Sequence, residues 1–446
     1  MKKLFDWGIR ASWALPMNGE VSVENDFFLG VKGTDIAFAG PYKPSHKTQS
    51  KKFIDAKGMV LLPGLINAHT HLPMTLFRGL EDDVPLKVWL FERIFPLEKE
   101  FVSPDFVKTG TELAALECIR FGTTTVSDMY FFVEDSAKAW DKAGLRGIFG
   151  QAFMDFPLPE DKKLGPDHFG RFHALRKKFA KSDRIQIALS PHAPYTCSDD
   201  LLKKIAATSK ETGALLHTHL SESVGEEPES LAKFGKTQTE RFRDLGVLGP
   251  KTICAHAVHL TPSDRQILKD SGTAVIHNPD SNLKLGSGVA PVAEYLAEGV
   301  RVALGTDGSA SANDLSLFGV MDLATKVQKL THNDNTAMIA SQALWMATQG
   351  GANALNLGDQ IGSLSPGKKA DFILVDFNFP HLQPVHDPIS HLVYSAQGLE
   401  VDTVFCNGKM LMKAKKHVSL KPAAIFAKAE SYRKKIRAFL AKLKAS

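Results

Sequence analysis

Residues 60–71 read VLLPGLINAHTH, an apolar run that ends in two histidines one residue apart. Seven more short apolar runs follow it: TTTVSDM from residue 123, LRGIFGQA from 145, RIQIALS from 184, ALLHTHL from 214, KTICAHA from 251, TAVIHN from 273 and RVALGTD from 301. Segments between them, such as FVKTGTELAALECIRF (106–121) and LAKFGKTQTERFRDLGV (231–247), carry helical periodicity. Eight strand-like runs alternating with helices over about 250 residues predict an α/β chain folded as a (β/α)8 TIM-type barrel. Outside this region the texture is β. GIRASWAL, VSVEND, FFLGVK and DIAFAG precede the barrel, and KKADFILVDF and VDTVFCNGKMLM follow it. The expected organisation is a small β-sandwich domain built from both chain ends, residues 1–60 and 361–420, around a metal-dependent barrel over 61–360. Residues 421–446 place Ile425, Tyr432, Ile436, Phe439 and Leu440 at helical spacing and read as a C-terminal basic amphipathic helix.

Composition narrows the function classes. Of 446 residues, 43% are hydrophobic and 23% charged, which leaves ample material for a large core. The net charge of +5 is local: the tail carries eight Lys/Arg and one Glu, leaving a formal −2 for the rest. Such a tail reads as a solvated helix face, so no nucleic-acid partner is expected. No uncharged apolar run reaches the roughly 18 residues that a membrane helix needs. Asp6 and Arg10 interrupt the apolar start, so a cytoplasmic protein with no membrane partner is expected. Cys118, Cys197, Cys254 and Cys406 stand far apart, which excludes a thiolate zinc cluster and argues against a disulfide framework. The HxE and PCxxC pair of the cytidine-type zinc deaminases does not occur.

Chemistry in such a barrel lies at the C-terminal strand ends. There the sequence places His69-Thr70-His71, Ser190-Pro191-His192, His217-Thr218-His219 with Glu222 close behind, His256, His277-Asn278 and Thr306-Asp307-Gly308. Residues i and i+2 on a strand face the same side, so His69 and His71 reach one point in the barrel mouth. With His219 and Asp307 they offer three nitrogens and one oxygen, a donor set that suits Zn²⁺ or Fe²⁺ and leaves one position for water. His217 lies one layer deeper and reads as a buried core histidine; His259 reads as a structural or rim residue.

The segments PGLINAHTHLPMTLFRGL, SPHAPYTCS, HTHLSES, AHAVHLT, HNPDSNLKLGSG and ALGTDGSASANDLSLF resemble the amidohydrolase superfamily. More narrowly they are similar to its methylthioadenosine/S-adenosylhomocysteine deaminase group, with triazine hydrolases and guanine deaminase as relatives. GSLSPGKKADFILVD resembles that family's return into its β-sandwich. The resemblance implies metal ligands at His69, His71, His219 and Asp307, a catalytic glutamate at Glu222, and a sixth-strand histidine at His256 that orients the attacking hydroxide. It implies substrate contacts from His192 and a ribose-binding glutamate at Glu98; Trp89 is either a pocket wall or ordinary core. Two-metal relatives carry a bridging lysine at the end of strand four. Here His192 stands in that place, so one divalent metal per chain is implied, Zn²⁺ before Fe²⁺.

The implied activity is hydrolytic deamination of an adenosine derivative, a hydrolase reaction at the C–N bond of a cyclic amidine. Glu222 would pass a water proton to purine N1, and Asp307 would relay a second proton to the departing amine. Relatives that hold the 5′ substituent carry an arginine after strand three, where this chain has Gln151; Arg171 meets a second family arginine. That change implies weaker holding of the adenosylhomocysteine carboxylate than of methylthioadenosine. The alternatives are guanine deaminase, a triazine or chlorohydrolase, and, more remotely, a non-catalytic scaffold. Glu98 favours a ribosyl substrate, Glu222 an amine leaving group, and the intact site set an enzyme. The oligomeric state stays open.

Overall fold

The computed structural model describes residues 3–80, 82–84 and 88–443. Residues 1–2 and 444–446, which belong to the expected first and last segments, lie outside them. Among the described residues, sixteen strands form two eight-stranded sheets. The barrel sheet consists of β5 (Leu65–Thr70), β6 (Thr123–Tyr130), β7 (Arg146–Phe153), β8 (Ile185–Pro191), β9 (Leu216–Leu220), β10 (Thr252–His256), β11 (Ala274–His277) and β12 (Arg301–Leu304). They lie side by side in sequence order, parallel throughout. A parallel bridge between Thr70 and Asp307 joins the last strand back to the first. Nearly every residue of these strands is buried, as expected where helices cover the outer face and side chains fill the interior.

The flanking sheet is mixed. Its order is β16 (Lys416–His417), β15 (Lys409–Lys413), β14 (Val401–Cys406), β13 (Phe372–Asp376), β4 (Ser50–Pro63), β1 (Phe5–Ala14), β2 (Glu24–Lys32) and β3 (Asp35–Pro41). It is one continuous sheet folded over itself. Asp35 bridges Lys369, and Trp7 on β1 meets Phe405 on β14 edge to face at 5.3 Å.

Several expected boundaries move. VLLPGLI is not one strand: Val60–Pro63 end β4 and pair with β13, while Leu65 begins the barrel. Gly64 marks the exchange, because a Cβ there would lie 2.1 Å from Thr124 Oγ1. The last three residues of VSVEND merge with FFLGVK into β2, and residues 21–23 lie outside it. The segment 231–247 divides into the helices Glu226–Phe234 and Gln238–Asp244, the second opened by a reciprocal cap between Thr237 and Glu240.

Two connections bear on the site. Arg146, at the start of β7, pairs with Asp371 at 2.9 Å just before β13 and ties the barrel to the flanking sheet. The tail forms a helix, Pro422–Leu443, whose Tyr432 donates to Asp105 Oδ2 at 2.9 Å. Its Phe439 meets Phe101 edge to face at 5.5 Å, at the end of the short helix Phe95–Phe101 that carries Glu98. No helix among the described residues is long and apolar enough to cross a membrane.

Candidate active site

Of the imidazoles predicted at the strand ends, His69, His71, His219 and His256 converge in the barrel mouth, each anchored through Nδ1, whereas neither ring nitrogen of His277 has a hydrogen-bond partner among the described residues. His71 Nδ1 donates to Met129 O at 2.5 Å, His219 Nδ1 to His192 O at 2.6 Å, and His256 Nδ1 to Asn282 Oδ1 at 2.7 Å. His69 Nδ1 lies 2.7 Å from His217 Nε2, and His217 Nδ1 lies 3.0 Å from Ser127 Oγ. His217 is therefore buried as expected, and is also the hydrogen-bond partner of His69. In each of the four rings this leaves Nε2 directed at a shared centre. Asp307 Oδ1 sits 3.2 Å from the Nε2 of both His69 and His71, while its Oδ2 accepts from Ser281 at 2.6 Å and Ser311 at 2.8 Å.

The backbone pays for this convergence in strain. Ser221, His256, Ala257 and Asp307 all have positive φ, at 47°, 72°, 47° and 65°. Each costs on the order of 1–3 kcal/mol, and such residues cluster at functional sites. Gly305 lets β12 close on β5: a Cβ there would stand 2.4 Å from Asn278 Oδ1 and 2.9 Å from His69 Cβ.

The donor set fits a metal ion. His69, His219, His256 and Asp307 offer ligand atoms all within 4.8 Å of one another, all buried. His69 Nε2 is buried with no hydrogen-bond partner, an orphan that a cation would satisfy. The Nδ1 anchors are the outer-shell bonds that fix tautomer and ring orientation in metal sites. His256 belongs to this tight group, whereas His71 joins it through Asp307.

Above the centre lies a cavity lined by Met74, Trp89, Leu90, Phe95, Phe131, Met154 and Leu285, with Glu98, Tyr130, His192, Glu222, His256 and Asp307 among its polar groups. Trp89 is both buried core and cavity wall, in a π-helical turn over Trp89–Ile94. Glu222 Oε2 stands 3.8 Å from His256 Nε2, and burial pushes its carboxyl up to about 7. Burial pushes Glu98 up to about 7 as well, opposed by a hydrogen bond from Tyr130 Oη to Glu98 Oε1 at 2.7 Å. Burial lowers His192 to about 3, so that ring enters the cavity neutral, 3.2 Å from Thr196 Oγ1. His259 bonds Ser287 O at 2.7 Å.

Gln151 and Arg171 lie away from this cavity. Gln151 Nε2 donates to buried Glu160 at 2.7 Å, and Arg171 pairs with Glu160 at 3.0 Å and Asp161 at 2.9 Å. Both line a different cavity, with Phe132 and Lys163. Successive strand residues face opposite ways, so it is Ala152, next to Gln151, that reaches the barrel cavity. Sequence reasoning did not pick out Tyr130, Ser281, Asn282 or Ser311. The two serines and the asparagine stand inside the motifs around His277 and Asp307; Tyr130 ends a strand run, one residue beyond the segment quoted for it.

A barrel with these groups at its C-terminal rim is the architecture of a metal-dependent hydrolase. The chain belongs to the amidohydrolase family, whose model matches residues 60–411. It is 44% identical over 395 residues to a 5-methylthioadenosine/S-adenosylhomocysteine deaminase of Syntrophobacter fumaroxidans, covering 88% of this chain and 89% of the relative. A 5′-deoxyadenosine deaminase of Methanothermobacter thermautotrophicus is 43% identical over 361 residues, 81% of this chain and 83% of that one. The zinc-bound crystal structure of an adenosine deaminase from Xanthomonas campestris superposes with a TM-score of 0.95 at 34% identity, covering 98% of this chain and 100% of that one.

Proposed function

We propose that this chain is a metal-dependent hydrolytic deaminase of adenosines altered at the 5′ position, releasing ammonia and the inosine derivative. The observation that carries this reading is Glu222, a half-buried carboxyl pushed up to about 7 by its loss of solvent, sharing one cavity with the convergent histidines, Asp307 and Glu98. His69, His71, His219 and Asp307 would hold one ion, with His256 in the same group of ligand atoms; nitrogen and oxygen donors, and the zinc in the Xanthomonas structure, favour zinc. Such an ion lowers the pKa of water toward neutrality and so provides a nucleophile at pH 7.

The chain's own groups supply the proton traffic. With a pKa near 7, Glu222 can accept a proton from water and hand it to the ring nitrogen, which makes the adjacent carbon electrophilic. Asp307 Oδ1 faces the same centre and can take the second proton from the oxygen newly bonded to the carbon and pass it to the leaving amine, with Ser281 and Ser311 fixing its other oxygen. His256, anchored by Asn282, stabilises the negative charge on the attacking oxygen as the tetrahedral adduct forms. Glu98 accepts from the ribose hydroxyls, and neutral His192 contacts the base. The names of the relatives at 43–44% identity support an adenosine-type substrate.

Among the described residues that line the cavity there is no Lys or Arg, and most of its wall is apolar. Arg171 is engaged by Glu160 and Asp161. A methylthio or methyl group at the 5′ carbon therefore suits this wall better than the amino-acid tail of adenosylhomocysteine. Ammonia release from 5′-methylthioadenosine, 5′-deoxyadenosine, adenosylhomocysteine, guanine and an aminotriazine tests the proposal. The first two should give the highest kcat/KM, and preferred turnover of guanine or the triazine would replace the reading with the corresponding relative's activity.

A further inference from the structure

Glu98 is carried by a short helix that belongs to neither sheet, so something else must fix its carboxylate. Tyr130 is the last residue of β6, its backbone held in register opposite Gln151 of β7. The ring is buried, packs 5.0 Å from Phe131 and faces the His71 ring at 6.4 Å. From this rigid post the phenol donates to Glu98 Oε1 at 2.7 Å, across the wall of the cavity. A donor on one oxygen fixes the rotation of the carboxylate plane and so the directions of its remaining acceptor sites. A vicinal diol brings two O–H donors in a set geometry. An oriented carboxylate meets both at once, whereas a rotating one must be ordered when the ligand binds. The same bond favours the ionised form of a carboxyl whose charge burial disfavours.

We propose that Tyr130 is a positioning residue for nucleoside recognition: its hydroxyl orients Glu98 toward the 2′,3′-diol, and selectivity for ribosides over 2′-deoxynucleosides depends on it. This rests on the reading of Glu98 as the ribose acceptor.

Tyr130→Phe keeps the ring and removes only the hydroxyl. Steady-state kinetics of the metal-loaded protein on adenosine and 2′-deoxyadenosine, with Glu98→Ala and the double variant alongside, separate the possibilities. Tyr130→Phe should raise KM for adenosine about tenfold with kcat little changed, the scale of one hydrogen bond to a charged group. The ratio of kcat/KM between the two substrates should fall by about the same factor. Because the ratio is taken within one preparation, a partly unfolded sample does not alter it. In the Glu98→Ala background the hydroxyl should have no further effect on the ratio. The inference is overturned if Glu98→Ala lowers the ratio and Tyr130→Phe leaves it unchanged, or if the Tyr130 effect persists without Glu98. A ratio unchanged by Glu98→Ala would instead remove the ribose reading of Glu98 itself.

Discussion

Truncating His217 to alanine should loosen the metal without removing any of its ligands. His217 is fully buried, with Nε2 2.7 Å from His69 Nδ1 and Nδ1 3.0 Å from Ser127 Oγ. Burial keeps its pKa well below the usual imidazole range, so the ring is neutral; with one proton shared toward Ser127, its Nε2 accepts from His69. His217→Ala leaves the His69 donor buried without an acceptor, which costs about 1–3 kcal/mol. It also frees the His69 ring to turn, and loss of such an outer-shell partner weakens metal binding by about 10–100-fold. The assay is metal release into excess chelator from the folded variant, beside thermal melts of its stripped and loaded forms. The variant should release metal faster than the parent and gain less melting temperature on loading. His217→Gln, whose amide oxygen can accept the same bond, should recover part of the loss. A folded His217→Ala protein with unchanged metal affinity would refute the argument and leave His217 as packing alone.

Three further outcomes are expected. Glu222→Gln should retain its metal by elemental analysis yet lose about 10²–10⁴-fold in kcat, because an amide cannot shuttle the proton. Glu98, at about 7, is mostly protonated at pH 6 and mostly ionised at pH 8; only about a tenth is ionised at pH 6, so the adenosine-to-2′-deoxyadenosine ratio of KM should rise up to about tenfold on acidification. A ratio that is flat with pH would contradict that. Arg146→Ala breaks the buried pair with Asp371; it should cost about 3–5 kcal/mol in denaturant unfolding and leave metal stoichiometry unchanged.

The barrel was legible because each of its strands is buried on both sides and therefore reads as a short uniform apolar run between helices. The same uniformity concealed the exchange at Gly64. Val60–Pro63 and Leu65–Thr70 are equally buried, so periodicity cannot tell that the first belongs to the flanking sheet. The polar first half of β4, SKKFIDAK, is half exposed and shows little apolar signal although it pairs with β1 along its length. At the site, strand ends and i, i+2 spacing located His69 and His71 because those are local facts. Which way Gln151 faces and what Arg171 touches are set by contacts between segments, which the sequence does not show. Tyr130, Asn282, Ser281 and Ser311 act through other side chains, so only the fold brings them into view.

The most direct test of a metal-dependent deaminase is stepwise return of zinc to chelator-stripped protein while ammonia release from 5′-methylthioadenosine is measured. Stripped protein should be inactive, and activity should climb linearly and saturate at one equivalent of zinc per chain. Full activity in the stripped protein, or saturation only at two equivalents, would contradict the account.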